Sequence, residues 1–385
     1  MKEGKLKKFR HLWDLCFSED SSWWSDAYFE ILSSKYIRFS TSNNDVISML
    51  YVFPMYLQQG ENNRNNHPFP LAYLSGICTH PDYRGKGVAG KLIKRTLNEF
   101  QQHPEGFQYA ALIPANESLF NYYEKFGFTR VFDYSEESFS ANDFKSTTGN
   151  STSAQETILK QGDLKYDFSS IFHNASLLSA LFARKSLSQT TILKSRDFWR
   201  LIFVDTLLYN GRIYVLSRKE SSPLERESNL LAYALVYHSK TQDSVLSIFA
   251  DSPELRMELL RRISRSSGKN LYVIKEPTGD LASDKGLGMI RLTAVKTVLT
   301  QFALRFPHIT TSFQLLDEVL PANNGLYSLC SGQLTIQPSS ASSEVPFVTI
   351  QQLTQALLGY HIENLPALFA EFPSKKPYID IFLNS

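Results

Sequence analysis

Cysteine and histidine are scarce in this sequence of 385 residues. The three cysteines, Cys16, Cys78 and Cys330, lie far apart, and an odd number without regular spacing argues against a disulfide framework or a zinc ribbon. The eight histidines are scattered and form no pair at a metal-ligand spacing. We therefore expect no metal site.

Long apolar runs are also missing. No stretch approaches the ~20 consecutive apolar residues that a membrane-spanning helix requires. The first residues, MKEGKLKKFRHLWDLCF, are partly basic but lack the apolar core of a signal peptide. We expect a cytoplasmic protein without a membrane partner.

Neither sign of charge predominates, because 40 basic residues stand against 38 acidic ones and the net charge is +2. Such a balance gives no indication of a nucleic acid as partner, and none is expected. Aromatic residues, by contrast, are abundant, with 27 Phe and 19 Tyr. They fit either large cores or a wide acceptor cleft. The length predicts two or three domains.

Residues 71–100, LAYLSGICTHPDYRGKGVAGKLIKRTLNEF, organise the rest of the chain. The apolar residues 71–78 predict a buried strand, in which Gly76 marks a bulge or a close backbone approach. Pro81 ends the strand because it has no N–H for a ladder. After a glycine turn, apolar residues recur at helical spacing from Val88 to Phe100, with basic residues on the other face.

The glycine turn is a candidate anion site. A turn that opens a helix leaves backbone N–H groups pointing outward at the positive end of the helix dipole, where a phosphate or pyrophosphate fits. Gly85 and Gly87 let a ligand approach the backbone without a Cβ in the way, and Arg84 and Lys86 add positive charge.

Two known phosphate motifs can be compared with this turn. A P-loop needs a Ser or Thr after its GK, and none follows here. A dinucleotide fingerprint, GxGxxG, is matched by Gly85, Gly87 and Gly90, but it also needs an acidic residue at the end of a second strand about 20 residues on. Glu105 lies at that distance without a preceding strand. A dinucleotide-dependent enzyme therefore remains an alternative that lacks its acidic residue.

The segment Arg84-Gly-Lys-Gly-Val-Ala89 resembles the (Q/R)xxGx(G/A) signature of the GNAT (GCN5-related N-acetyltransferase) superfamily, and residues 77–83 resemble the strand end that leads into it. The resemblance implies that the loop amides bind the pyrophosphate of acetyl-CoA, which is a co-substrate. The binding residues it implies here are Ile77, Cys78, Thr79, Arg84, Gly85, Lys86, Gly87, Val88, Ala89 and Gly90.

A second element supports this resemblance. The pattern predicts a strand at 108–113, a helix at 117–124 capped by Asn116, and a strand at 128–134. The run YYEKFGF at 122–128 resembles the YYxxxGF end of a GNAT domain. The resemblance implies that Tyr123 protonates the departing thiolate, with Tyr122 as the alternative, and that Asn116 contacts the CoA arm.

The residues before this stretch predict two helices, at 7–17 and 23–32, and strands at 36–41 and 46–58, the second interrupted by Pro54. The resemblance places the two helices along one wall of the acceptor cleft. Asp26 and Glu30 could attract an amine there, or they are solvated helix charges.

Residues 145–153 form a polar run that predicts a linker. Beyond it, the pattern predicts an α/β unit that echoes the first. A second signature turn is missing, because Gly268 follows a helix instead of preceding one. We interpret this unit as a degenerate GNAT-like domain. Its predicted helices are at 169–183, 195–205 and 253–264, and its strands at 212–217, 229–239, 244–250 and 271–275.

The segment GLGMIRL at 286–292, together with the residues after it, resembles the enhanced-intracellular-survival (Eis) type of acetyltransferase. The resemblance implies an α/β (α+β) protein that forms a homo-oligomer, with a hexamer as the suggested assembly. It divides the chain into a catalytic GNAT domain at 1–145 with a mixed sheet, a degenerate GNAT-like domain at 156–291 and a sterol-carrier-protein-like α/β domain at 292–385. In the last of these we expect helices at 298–306, 350–358 and 365–369.

The end of the chain has two interpretations. In the Eis type, the chain terminus can enter the first domain's active site, where its carboxylate helps to take the proton of the amine. By position this group is the α-carboxylate of Ser385. The apolar residues 378–383 could anchor such a tail, or they form the last strand of the final sheet.

The function implied is acetyl-CoA-dependent N-acetyl transfer to a primary amine of a small cationic acceptor: a polyamine, an aminoglycoside-like compound or a lysine. The amide of Cys78 or Thr79 would stabilise the oxyanion. The alternative is a non-catalytic protein that binds acetyl-CoA or a lipid as a sensor.

Overall fold

The computed structural model describes residues 3–31, 34–60, 67–103, 106–144, 154–159, 190–218, 230–279, 283–338 and 345–379. The fold is mixed α/β, as the sequence predicts, with one large mixed sheet and one small sheet. Within these ranges, no helix is both long enough and apolar enough to span a membrane.

The first part of the chain follows the predicted order of two helices, three strands, a helix, a strand, a helix and a strand. Its most amphipathic helix buries Leu92, Ile93, Leu97 and Phe100 against the sheet and leaves its basic residues outside. The elements are α1 (Glu3–Cys16), α2 (Ser22–Ile31), β1 (Ile37–Ser42), β2 (Asp45–Gln59), β3 (Phe69–Thr79), α3 (Val88–Gln102), β4 (Tyr109–Leu112), α4 (Glu117–Glu124) and β5 (Thr129–Phe139).

The interruption predicted at Pro54 is wrong, since β2 continues through it and Pro54 pairs with Ala72 of β3. The reason that β2 tolerates Pro54 lies at the edge of β2 that faces away from β3. There β1 pairs only as far as Tyr51, and the strand β7 (Thr190–Leu193) begins to pair at Tyr56. Pro54 lies between these two partners, so its missing N–H breaks no bond to either strand.

In the described residues, the middle of the chain adds strands to the same sheet and contributes two helices. Ser195 caps the first of these helices, and Gly268 ends the second in a left-handed conformation, so this glycine follows a helix as predicted. The predicted linker at 145–153 and helix at 169–183 lie outside the described residues. The elements are β6 (Ala154–Leu159), α5 (Arg196–Leu208), β8 (Gly211–Arg218), β9 (Leu230–His238), β10 (Gln242–Ala250), α6 (Pro253–Ser267) and β11 (Asn270–Lys275).

A later strand, β12 (Lys285–Leu292), joins the sheet between β4 and β5. On one side Met289 is in register with Leu112, and on the other Ile290 is in register with Thr129. The far end of β5 pairs with β11, so the sheet runs without a break from the first part of the chain to the middle part. Its order is β1-β2-β3-β4-β12-β5-β11-β10-β9-β8-β6, with β7 on β2.

The last part contains the small sheet, in the order β15-β14-β13-β16, and two helices. The helix predicted at 365–369 is wrong: the chain forms two short 3-10 turns, Ile362–Asn364 and Ala367–Phe369. Pro366 separates them, because it disfavours a helical conformation in the residue before it. The elements are α7 (Val295–Arg305), β13 (Thr311–Leu316), β14 (Gly325–Cys330), β15 (Gln333–Gln337), β16 (Phe347–Thr349) and α8 (Ile350–Leu358).

Candidate active site

The glycine turn lies between the end of β3 and the start of α3, as predicted. Gly85 and Gly87 have φ of 74° and 73°, in the left-handed region that residues with a Cβ disfavour. A Cβ added to either would meet no atom within 4 Å, so the space above the turn is open. The backbone conformation requires glycine here, and the open space is where a ligand would approach.

The start of α3 is suited to bind an anion. Gly87 is the N-cap, and no side chain of the described residues caps the helix. The first-turn N–H groups lack partners within an α-helix, and the dipole is positive at this end. A pyrophosphate would supply the missing acceptors. Two cations flank the turn: Arg84, whose Nε donates to Thr79 O at 3.1 Å, and Lys86, 5.3 Å from the ring centroid of Tyr83.

Strands β3 and β4 separate just before this turn. They pair in parallel only at residues 71–73 of β3, although β3 continues to Thr79. The β3–β2 ladder shifts register between Ser75 and Cys78, and Gly76 has a φ of 56°. A Cβ at Gly76 would lie 2.7 Å from Trp13 Cζ3. Gly76 is therefore both the predicted bulge and the predicted close approach, and it allows α1 to pack on the strand.

The end of β3 orients the amides that were proposed to bind acetyl-CoA. His80 donates its N–H to Ile47 O at 2.9 Å. Because N–H groups alternate in direction along a strand, the Thr79 N–H points away from β2, towards the gap beside β4. Ser48 Oγ donates to Cys78 O at 2.8 Å. Of the two candidate oxyanion donors, this arrangement favours Thr79.

Tyr123 lies on α4, which Asn116 caps by accepting from Leu119 N at 3.2 Å. Tyr123 is 7% exposed and Tyr122 is half-buried, with ring centroids 5.2 Å apart. Burial raises the pKa of both phenols, and Tyr122 raises that of Tyr123 further. Burial and then Tyr123 raise the pKa of Tyr73 on β3. Tyr123 is thus a protonated hydroxyl that can donate a proton.

Helices α3 and α4 meet at Gly90. A Cβ there would lie 3.1 Å from Phe126 Cζ and 3.7 Å from Tyr122 Oη. Gly90 follows the glycine turn directly, and Tyr122 neighbours Tyr123. The contact therefore brings the anion-binding helix end beside the helix that carries the candidate acid.

Comparison with known proteins agrees with this geometry. Residues 1–131 match the family model described as the acetyltransferase (GNAT) domain. The chain carries a GNAT domain. No curated protein matches the sequence.

Solved structures resemble the whole chain. A GCN5-related N-acetyltransferase from Kribbella flavida is 16% identical with a TM-score of 0.71, over 100% of this chain and 97% of that one. A GCN5-related N-acetyltransferase from Anabaena variabilis is 15% identical with a TM-score of 0.73, over 99% and 98%. Eis1 from Mycobacterium abscessus is 13% identical with a TM-score of 0.71, also over 99% and 98%. At these identities the likeness shows the fold alone. With the family match, it supports an N-acetyltransferase that uses acetyl-CoA.

Helix α2 carries the two carboxylates that were predicted to attract an acceptor. Asp26 forms an ion pair with Arg10 of α1, and Glu30 is exposed. The nearby rings of Trp13, Tyr28 and Tyr51 are buried, so these aromatic residues form core. An amine that uses Asp26 must compete with Arg10 for it.

Ser385 lies outside the described residues, which end at Ile379. The last described residues lie along β7, where Tyr378 N donates to Thr190 O at 2.9 Å and Tyr378 forms a parallel bridge with Thr191. The described residues contain no group of three or more His, Cys, Asp or Glu side chains that could hold a metal ion.

Sequence analysis missed several residues around the site. Cys16 Sγ donates to Thr79 O at 3.4 Å, and Arg291 of β12 lies against Gly127 just after α4. Tyr73 was also missed. It lies two residues before Ser75 on β3, so the two side chains point to the same face of the sheet. For Cys16 and Arg291 no local pattern was available, since each reaches the site from another element.

Proposed function

We propose that this protein transfers the acetyl group of acetyl-CoA to a primary amine of a small cationic acceptor. The observation that carries the proposal is the contact of α3 with α4 at Gly90, which joins the anion-binding turn to the helix of Tyr123. The turn binds the pyrophosphate through the α3 amides, with Arg84 and Lys86 adding charge. Asn116 contacts the CoA arm.

The reaction begins when the acceptor amine loses its proton to a base. The neutral amine attacks the thioester carbonyl, and the Thr79 amide stabilises the oxyanion. The C–S bond then breaks as Tyr123 donates its proton to the departing thiolate, and the amide nitrogen gives up its second proton, which restores the phenol of Tyr123. The products are the N-acetylated amine and CoA. Holding both reactants in one site supplies much of the rate.

The α-carboxylate of Ser385 is our candidate for the base. Tyr378 lies at the level of Gln58 of β2, through their shared partner Thr191. At that point the chain runs parallel to β7, in the direction of Tyr51. The seven residues that follow Tyr378 can span at most about 25 Å. The same number of β2 residues separates Gln58 from Tyr51, about 23 Å, so a fully extended tail would end at the level of Tyr51 and of Ser75, its partner on β3.

The same proposal includes the acceptor-binding residues, the domain boundaries and the assembly. Asp26 and Glu30 would attract the cationic acceptor. The protein would be of the Eis type, with a GNAT domain at 1–145, a GNAT-like domain at 156–291 and a sterol-carrier-protein-like domain at 292–385. It would be a cytoplasmic homo-oligomer. The start of α6 supports a degenerate second domain, because Ser252 Oγ already accepts from Leu255 N at 3.3 Å and Pro253 has no N–H.

A thiol-release assay tests the activity. The protein would be mixed with acetyl-CoA and a panel of polyamines, aminoglycosides and lysine peptides. We expect CoA release that depends on one acceptor class and falls 10²- to 10⁴-fold in Tyr123→Phe, the range for loss of a general acid. The same loss in Tyr122→Phe alone would transfer the role to Tyr122. Tyr56→Phe, at an exposed tyrosine of β2, is the matched control.

The second candidate is a sensor that binds acetyl-CoA without turnover. The open space above Gly85 and Gly87 favours binding in either case. Binding of acetyl-CoA with no CoA release for any amine would support the sensor. No binding at all would overturn the assignment of the turn.

A further inference from the structure

The turn that follows α4 is tied to Tyr123 by the backbone. Phe126 N donates to Tyr123 O at 2.9 Å, and Gly127 N donates to Glu124 O at 2.9 Å. Gly127 closes the turn with a φ of 79°. The orientation of Tyr123 therefore depends on what holds residues 124–127 in place.

The guanidinium of Arg291, which is wholly buried, binds this turn. One terminal nitrogen donates to Phe126 O, the other donates to Asp317 Oδ2 at 2.7 Å, and Nε donates to Leu292 O at 3.0 Å. A Cβ on Gly127 would lie 2.7 Å from the Arg291 nitrogen that contacts Phe126, so only glycine leaves room for it. Arg291 reaches α4 from β12, more than 160 residues later in the chain.

The buried carboxylate of Asp317 holds Arg291 in this orientation. Its Oδ1 accepts from the backbone N–H groups of Val319 and Leu320 at 3.1 and 3.0 Å, and its Oδ2 also accepts from Asn323 Nδ2 at 2.8 Å. Both oxygens are thus fully engaged. Movement of either group would leave a buried charge without its hydrogen-bond partners, which is costly in free energy. The ion pair is therefore held rigidly.

A second group from the last part of the chain binds the same turn. Gln351 in the first turn of α8 donates from Nε2 to Glu124 O at 3.2 Å. The neighbouring Ile350 packs there too, since a Cβ on Gly127 would lie 3.0 Å from its Cγ2. Two carbonyls at the end of α4 are therefore held by side chains from β12 and α8.

We infer that Arg291 and Gln351 are positioning residues for Tyr123, and that the last part of the chain is thereby required for proton donation to the leaving thiolate. This inference rests on the proposed role of Tyr123. A donor at a helix end satisfies carbonyls that lack intrahelical partners, and a cation there also opposes the negative end of the dipole. The planar guanidinium fixes direction as well as distance, which an ammonium does not. A displacement of about 1 Å in a catalytic group can cost 10²-fold in rate.

The test is a double-mutant cycle in the full chain. Arg291→Lys and Gln351→Ala would each be made alone and combined with Tyr123→Phe. Gln355→Ala is the matched control, because Gln355 lies one turn further along α8 with similar partial exposure. For each variant, kcat and the KM for acetyl-CoA would be measured with the best acceptor, and folding checked by thermal unfolding.

We expect Arg291→Lys to lower kcat about 10- to 100-fold and Gln351→Ala to lower it less, with the KM for acetyl-CoA within about twofold. In the Tyr123→Phe background, both should lower kcat less than about twofold, because the group they position is already missing. Gln355→Ala should leave kcat unchanged. If Arg291→Lys does not fold, the Gln351→Ala cycle decides alone.

Two other outcomes would overturn the inference, each for a different reason. Full kcat in Tyr123→Phe would remove the proposed role of Tyr123 and the inference with it. A large loss in Tyr123→Phe, with Arg291→Lys and Gln351→Ala costing the same factor in both backgrounds, would leave the acid in place. It would show that the two residues affect kcat independently of Tyr123.

Discussion

Gly90 in the first turn of α3 lies against Phe126 after α4, so closely that an added Cβ would be 3.1 Å from Phe126 Cζ. This contact couples the turn proposed to bind the co-substrate to the helix of the proposed acid. The helices can approach this closely because Gly90 has no Cβ.

Gly90→Leu should therefore separate the two helices. Overpacking of this kind costs about 1–3 kcal/mol of the free energy of unfolding, and we expect kcat/KM for acetyl-CoA to fall at least tenfold. Urea unfolding and steady-state kinetics would measure the two effects. Lys94→Leu places the same side chain on the exposed face of α3 and should change neither. Unchanged kinetics in Gly90→Leu would mean that the contact does not couple the helices.

The pH dependence of kcat provides a test of Tyr123. Burial raises its pKa above the value of about 10 for free tyrosine, so the folded protein keeps the phenol protonated at pH values where an exposed one would ionise. We expect no alkaline loss of kcat from Tyr123 up to about pH 10. The measurement is kcat from pH 6 to 10 at saturating substrates, with Tyr123→Phe as control. A fall centred between pH 7 and 9 that vanishes in the variant would contradict the prediction.

Cys16 should react selectively with iodoacetamide. The pKa of the Cys16 thiol is lowered to about 6, mainly by its hydrogen bond with Cys78 and also by Arg84, against burial, which raises it, so thiolate is present at pH 7. The rate should fall as the pH decreases through about 6. Mass spectrometry of peptides would compare Cys16 with the exposed Cys330.

Acetyl-CoA should slow the alkylation of Cys16 but not that of Cys330, because Cys16 Sγ lies 3.4 Å from Thr79 O, which also accepts from Arg84 Nε, at the edge of the proposed site. Cys16→Ser identifies the modified residue. Equal rates at the two cysteines would contradict the lowered pKa of Cys16, and protection of neither would place Cys16 away from the bound co-substrate.

An extension of the chain by two glycines after Ser385 tests the proposed base. It moves the α-carboxylate several ångström away, so kcat should fall about 10- to 100-fold at pH 7 and recover as the pH rises and the free amine becomes more abundant. Ser385→Ala keeps the carboxylate and should behave as the unchanged protein. If the extended chain keeps full kcat and the same pH profile, another group takes the proton.

Much of the site was predictable because its signals are local. The positive φ of Gly85 and Gly87, the bulge at Gly76 and the cap at Asn116 each follow from one residue type beside its neighbours in sequence. The wrong predictions concern proline. Pro54 is tolerated because β2 has a gap between its outer partners there, and Pro366 leaves only one 3-10 turn within the helix predicted at 365–369.

The sequence by itself determined the strand, turn and helix that make an anion site, since glycine, proline and apolar spacing act within a few residues. Only the tertiary structure decided which groups surround that site. The insertion of β12 between β4 and β5, the pairing of Asp26 with Arg10 and the bond of Arg291 to Phe126 all join residues distant in sequence. Nothing near Arg291 in the chain distinguishes it from a surface arginine, because its burial depends on a carboxylate and a carbonyl that only folding brings to it.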